Sequence, residues 1–370
     1  MHQYRNRDNL PLVLLIGLLL LAACSTTTNP TDTTDSSEPG SPAVSNLTLP
    51  AGFRATVYAT GLRGPTAMNF GPEGALFVTQ LNGPENAGTG QVVRVDAPGA
   101  EPIPVLEDLL KPTGLAWRDD ALFVVLQRDV IRVRREANGQ LGEPEMIVRD
   151  LPFNSRSTGQ ITLLPDDRLL FESSGTLNNP DSGKLLTLAP GEETPQELAR
   201  GFKNAYAHAV DPATGQIYTT EIGDGLMDGE PPPEEINLVQ PGAHYGWPRC
   251  YADREPAANN GGTEEFCATT VPPVITFPPR TTPTGLTFYA GEDFPPDYRD
   301  ALYVALWQGD PPRVWRVTLA QEDERVTGAA TPFIDGMERP MDLLPHPDGG
   351  LLALDFGAGV VYRVERRGGN

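Results

Sequence analysis

GLRGPTAMNFGPEGALFVTQ, residues 61–80, followed by GQVVRV at 90–95, sets out the unit from which the rest of the chain is built. A Gly-Leu turn leads into a short apolar strand, a polar Gly-Pro-Glu-Gly corner reverses it, and a second apolar strand follows. A third strand carrying an Arg-Val pair completes the unit. The same order returns in DLLKPTGLAWRDDALFVVLQRDVIRV (108–133), and in DLPFNSRSTGQITLLPDDRLLFESSG (150–175) with GKLLTL (183–188). It recurs in GFKNAYAHAVDPATGQIYTTEIGD (201–224) with EINLV, in TTPTGLTFYAGEDFPPDYRDALYVALW (281–307) with RVWRVTL, and in GMERPMDLLPHPDGGLLALDFGAGVVYRV (336–364). The strands are short and rich in β-branched and aromatic residues, the corners carry Gly, Asp or Pro, and no stretch sustains a helical period. A single small sheet leaves both faces apolar, so six like units stacked around an axis predict an all-β, six-bladed β-propeller with four-stranded blades. The strand-like FRATVYA (53–59) precedes the first unit and is expected to supply the outer strand of the last blade, closing the ring. A sandwich would not explain six like units.

Between the fourth and fifth units the spacing stretches, and the surplus is GDGLMDGEPPPEE (223–235), the YGWP turn (245–248) and an excursion holding Cys250 and Cys267. Long insertions in a repeat fold gather on one face and carry function more often than structure. Asp224, Asp228, Glu230, Glu234 and Glu235 offer the oxygen ligands a hard cation prefers, although their spacing matches no EF-hand and a solvated acidic loop explains them equally. His208 alternates inward on a strand of the fourth unit, either as a base facing the channel or as a satisfied interior residue. His244 sits in the turn before YGWP, and His346 occupies the corner LPHPDGG. Nucleophile elbows, phosphate-cradling glycine loops and His-Glu-x-x-His are missing, which leaves nucleophilic hydrolysis unsupported.

The N-terminus points to export. Arg5 and Arg7 precede an apolar run from Leu12 to Leu21, and Leu21-Ala22-Ala23-Cys24 follows. Residues 1–23 thus read as a lipoprotein signal peptide, with Cys24 as the lipidated N-terminus of the mature chain. The run is far shorter than the roughly 20 residues a bilayer-spanning helix needs. Residues 24–46 lack the apolar side chains that offset ordering entropy and read as a flexible tether, and 47–370 form the propeller domain. The expected location is the bacterial cell envelope, lipid-anchored on the outer-membrane, periplasmic or extracellular side. With Cys24 assigned to the anchor, Cys250 and Cys267 are expected to form a disulfide, stabilising by about 3 kcal/mol through loop closure. Two free thiols are the alternative, and no ligand spacing suggests zinc. A net charge of −21 argues against a nucleic-acid partner.

LPAGFRATVYATGLRGPTAMNFGPEGALFVTQ, the GFKN module, EEINLVQPGAHYGWP, GLTFYAGEDFPPDYRDALYVALW and ERPMDLLPHPDGGLLALDFGAGVVYRV together resemble the glucose/sorbosone dehydrogenase family over nearly the whole mature body. The resemblance implies a six-bladed propeller with pyrroloquinoline quinone (PQQ) on its axis, held through calcium. It also implies oxidation of a small sugar, alcohol or aldehyde, with a histidine taking the substrate proton while hydride passes to the quinone. Carried over by position, the histidine falls at Arg156, nine residues before Pro165, and the quinone-contacting Arg-Asn pair at Lys203 and Asn204. The calcium loop falls at Gly223 and Asp224, with Ile222 where a polar residue is common, and a second, structural calcium at Glu235 and the Tyr245 carbonyl. The family's quinone-binding lysine falls at Trp307; Arg339 matches the first of two cofactor arginines and Met341 the second. The resemblance therefore implies a monomeric or dimeric sugar or aldehyde dehydrogenase with a divergent site, in which His208 or another group replaces the base. The alternatives are a ligand- or calcium-binding propeller without quinone chemistry and a calcium-dependent lactonase-like hydrolase.

Overall fold

A Pro-Thr pair opens two of the inner strands and leads directly into a third, and each threonine ties its blade to the next. Thr66 Oγ1 donates to Pro112 O at 2.8 Å, Thr113 Oγ1 to Gly159 O at 3.1 Å, and Thr284 Oγ1 to Pro340 O at 3.2 Å. Proline fits the first residue of a strand because its missing N–H interrupts no ladder there, and the threonine then supplies a bond across the blade interface. The structure is a computed structural model, and it describes residues 44, 46–85, 87–154, 158–223 and 225–368.

Six four-stranded antiparallel sheets surround the axis. Their inner strands are Pro65–Phe70, Gly114–Arg118, Ile161–Leu163, His208–Val210, Pro283–Tyr289 and Pro340–Pro345, in blades 1 to 6. These are the strands that contact one another around the ring. In blade 6 the order from the axis outward is Pro340–Pro345, Leu351–Asp355, Val360–Arg366 and finally Phe53–Ala59, so the N-terminal strand closes the ring as predicted. Phe53 locks this closure. It meets Phe294 at 4.9 Å, Tyr298 at 4.8 Å and Phe333 at 5.3 Å, all edge to face, and is fully buried between blades 5 and 6.

Blade 4 carries both insertions. One joins Ile217–Glu221 to Glu234–Leu238; the other joins Glu234–Leu238 to the outer strand Ile275–Phe277. Cys250 and Cys267 are disulfide-bonded within the second, with Cα atoms 5.8 Å apart. The two insertions support each other. Both oxygens of Asp228 accept main-chain N–H bonds, from Ala258 and Asn259 at 2.7 Å each, while Met227, Trp247 and Ala257 form a small apolar cluster beside them. Asp228 is thus a strut between loops.

Gly201 explains why GFKN and YGWP occur together. Its φ of +83° lies in the left-handed region, and a Cβ there would fall 2.3 Å from His244 Nδ1. The glycine lets the chain pass directly over His244, where Gly201 O accepts from Trp247 N and Arg200 O from Tyr245 N, each at 2.9 Å.

Candidate functional site

The six inner strands enclose an axial channel that is divided in two. One cavity, of about 470 Å³, is walled by the starts of inner strands and by the loops joining second to third strands. The other, of about 350 Å³, lies among the later residues of the same inner strands. On the wall of the smaller cavity Gln160 Nε2 of blade 3 donates to Asp342 Oδ1 of blade 6 at 2.9 Å, and Met68 N of blade 1 donates to Asp342 Oδ2 at 2.8 Å. Leu343 N adds a bond to Oδ1 at 2.9 Å. These donors favour the carboxylate, but complete burial outweighs them and raises the Asp342 pKa to about 6.

Lys203 and Asn204 stand at the larger cavity and are fixed from behind by two buried carboxyls. Glu221 accepts the main-chain N–H groups of both residues, and Glu172 Oε1 accepts from Asn204 Nδ2. Glu172 Oε1 also accepts from Gly159 N at 3.0 Å and Ser174 Oγ at 3.3 Å, whereas its Oε2 has no hydrogen-bond partner. Burial is the main cause of its pKa rising to about 7, and it lifts Glu221 well above the carboxylate range. Glu235 lies opposite Glu221 in the strand register, accepts from Ala252 N at 2.7 Å and Asn237 Nδ2 at 3.2 Å, and is likewise raised to about 7 by burial. Glu172 escaped the sequence reading. The signal for it was a charged residue inside the apolar strand LLFES, a place a glutamate occupies only with dedicated partners.

The remaining predicted positions separate into groups. Cys24, Arg156 and Asp224 lie outside the described residues. His208 lies on the smaller cavity, away from Lys203 and Asn204. Its Nε2 is 3.0 Å from Ala205 O and its Nδ1 3.5 Å from Thr162 Oγ1, and burial lowers its pKa to about 4, which makes it a neutral imidazole at ordinary pH. Trp307 and Met341 form walls of the larger cavity without filling it. Arg339 lies over the Trp307 ring, 5.2 Å from its centroid, and is not itself part of the wall. Gly223 N donates to Glu234 Oε2 at 2.7 Å, and a Cβ on Gly223 would lie 2.9 Å from Pro232 Cγ, so packing alone requires the glycine. Tyr245 stacks on Phe202 with centroids 4.4 Å apart; its hydroxyl donates to Leu238 O and accepts from Gln240 N, both at 2.7 Å. Among the described residues no group of three or more His, Cys, Asp or Glu side chains is placed to hold a metal ion.

Two cations enter the larger cavity that the sequence reading did not single out, Lys111 from the entry to blade 2 and Arg280 from the entry to blade 5. With Lys203 they make three positive side chains from three blades, facing a wall that includes Tyr206, Trp307 and Phe356. Glu234 is the buried carboxylate of the wall, and Glu85 is exposed at the rim.

Residues 125–363 match the family model described as glucose/sorbosone dehydrogenase. The chain belongs to this family. A Borreliella burgdorferi protein without an assigned function is 24% identical over 356 residues, covering 86% of this chain and 91% of that one. Among solved structures, a glucose dehydrogenase-type oxidoreductase from Thermus thermophilus has a TM-score of 0.65 at 20% identity, covering 85% of this chain and all of that one. The PQQ-bound aldose sugar dehydrogenase from Streptomyces coelicolor has a TM-score of 0.61 at 19% identity, covering 86% of this chain and 100% of the other. At such identities the structural likeness shows the fold alone, a six-bladed propeller. What this glucose/sorbosone dehydrogenase family member does follows from its own cavity.

Proposed function

We propose that the protein is an exported, lipid-anchored sugar or aldehyde dehydrogenase that takes PQQ in the larger axial cavity. The observation that carries this reading is the convergence of Lys111, Lys203, Arg280 and Asn204 on one cavity with flat aromatic walls. Those residues fit a planar, polyanionic aromatic group: cations for its carboxylates, ring faces for its plane. When bound, the quinone would supply a two-electron acceptor for the hydride leaving the substrate carbon.

The chain's own residues would do the rest. Lys203 and Asn204 are held rigid by Glu221 and Glu172 and so bind at fixed positions. Trp307, Met341 and Phe356 would make part of the wall apolar and limit water there. Histidine is not found among the described residues of this wall, and Glu234 is the buried carboxylate that stands where a substrate hydroxyl proton could be received. Calcium fits less directly. A cation beside the loop at 222–225 would draw on main-chain oxygens, since no carboxylate cluster is present among the described residues.

The deciding experiment adds PQQ with calcium to the purified protein, reads the bound quinone's absorbance, then follows dye reduction with aldoses. Quinone uptake followed by sugar-dependent dye reduction is expected. A second reading, a binding propeller without redox chemistry, is favoured by the want of a histidine among the wall's described residues; calcium-dependent thermal stabilisation without quinone uptake would establish it instead.

A further inference from the structure

We propose that Lys111 and Arg280 are this chain's replacement anchors for an anionic cofactor, taking over the charge that Trp307 and Met341 do not supply. The inference rests on the quinone reading above and assigns residues within it.

The family resemblance expects cations at the positions of Trp307 and Met341. Both are buried, uncharged walls of the cavity, and Arg339 beside them lies against the Trp307 ring. A polycarboxylate seated there would face apolar side chains on blades 5 and 6 and would be desolvated without compensation. Charge enters from elsewhere. Lys111 reaches the wall from the turn before blade 2 with only 9% of its surface exposed, and Arg280 stands exposed at the mouth before blade 5. One is a deep ammonium, the other a rim guanidinium able to grip a carboxylate through two N–H groups.

The backbone gives an independent indication. Lys111 has φ of 48° and Arg280 φ of 64°, and Thr282, also on the wall, has φ of 54°. Left-handed residues elsewhere in the described chain are mostly Asp in tight turns; of the five that are neither Asp nor Asn, these three line the cavity. That conformation is uncommon for a β-branched threonine and for long cations, and strain of this kind gathers at ligand sites. The left-handed turns before blades 2 and 5 place Lys111 and Arg280 on the cavity wall.

The test is binding of PQQ to the apo protein with calcium present, read by equilibrium dialysis and by quenching of tryptophan fluorescence, without any turnover assay. Lys111→Asn and Arg280→Asn remove the charge while asparagine tolerates the left-handed backbone, so folding is retained and can be checked by thermal melting. Each is expected to weaken binding roughly tenfold to hundredfold, the pair more so, and both are expected to flatten its salt dependence. Lys111→Arg should keep most of the affinity, and Arg280→Lys, which keeps the charge but loses the bidentate fork, only part of it. Wild-type binding with unchanged affinity in both Asn variants overturns the assignment and leaves the quinone reading standing. Absence of wild-type binding overturns both.

Discussion

Gln160 and Asp342 join opposite blades across the propeller axis through a 2.9 Å hydrogen bond, and both line the smaller axial cavity.

The buried carboxyl in this bond predicts a pH dependence. An unfolded aspartate titrates near pH 3.9, whereas burial raises Asp342 to about 6 in the folded protein. Between these values the native state holds a proton the unfolded chain has lost. This contribution to stability is therefore complete below about pH 4 and is lost as pH rises through 6, a change on the order of 2 to 3 kcal/mol. Asp342→Asn should flatten the fall in melting temperature between pH 4.5 and 6.5; an unchanged slope would remove Asp342 as its source.

Glu172 is expected to act on the cavity through Asn204, whose amide it accepts. It is raised to about 7 and one of its oxygens has no partner, so it behaves near neutrality as a partly protonated acid that glutamine can imitate. Glu172→Gln should leave quinone affinity within about twofold and improve stability above pH 7, while Glu172→Ala should cost about tenfold in affinity. Equal loss in both variants would show that the charge, not the hydrogen bond to Asn204, is what counts.

Six blades, their corners and the N-terminal closing strand are legible in the sequence because each repeat writes its own period of strand, corner and strand. YGWP and GFKN are legible as a pair, though their shared reason, the passage of Gly201 over His244, needs three dimensions. The site is less legible. Lys111, Arg280 and Glu172 lie in three different units, and only closure of the ring brings their surroundings together. Asp228 misled for the opposite reason: an acidic loop suggests a cation, but its carboxylate caps the main-chain N–H groups of Ala258 and Asn259. His208 faces inward as alternation suggested, but onto the smaller cavity, whereas Lys203 lines the larger.

Phe53 carries the closure of the ring, because the last blade borrows its outer strand from the start of the propeller. Its ring is fully buried among Phe294, Tyr298 and Phe333, so Phe53→Ala should cost about 3 to 5 kcal/mol and Phe53→Leu appreciably less. Denaturant unfolding measures this directly. A loss under about 1 kcal/mol for the alanine variant, well short of the usual cost of emptying a buried aromatic site, would mean that the other blades hold without a closed ring.

The anchor proposed at Cys24 predicts incorporation of labelled palmitate in a bacterial host and recovery with membranes. Cys24→Ser should abolish the label and release the protein into the soluble fraction, with no change in melting temperature of the propeller. Labelling that survives the substitution would place the lipid elsewhere or remove the lipoprotein reading.

Glu234 is the residue on which the enzymatic reading depends most directly. Its carboxylate is buried in the cavity wall with one oxygen fixed by Gly223 N at 2.7 Å, so it is positioned but not free to swing. If it receives the proton of the sugar hydroxyl, Glu234→Gln should lower kcat by about 100-fold or more with quinone binding intact, and the acidic limb of the pH–rate profile should vanish. A rise in KM with the pH profile unchanged would instead make Glu234 a structural support for Gly223, and the proton acceptor would have to be sought in the segment at 155–157, where the family position of the base falls on Arg156. An arginine there remains protonated at neutral pH and accepts no proton, so the two carboxylates among the described residues of the wall, buried Glu234 and exposed Glu85, are the groups such an experiment has to separate.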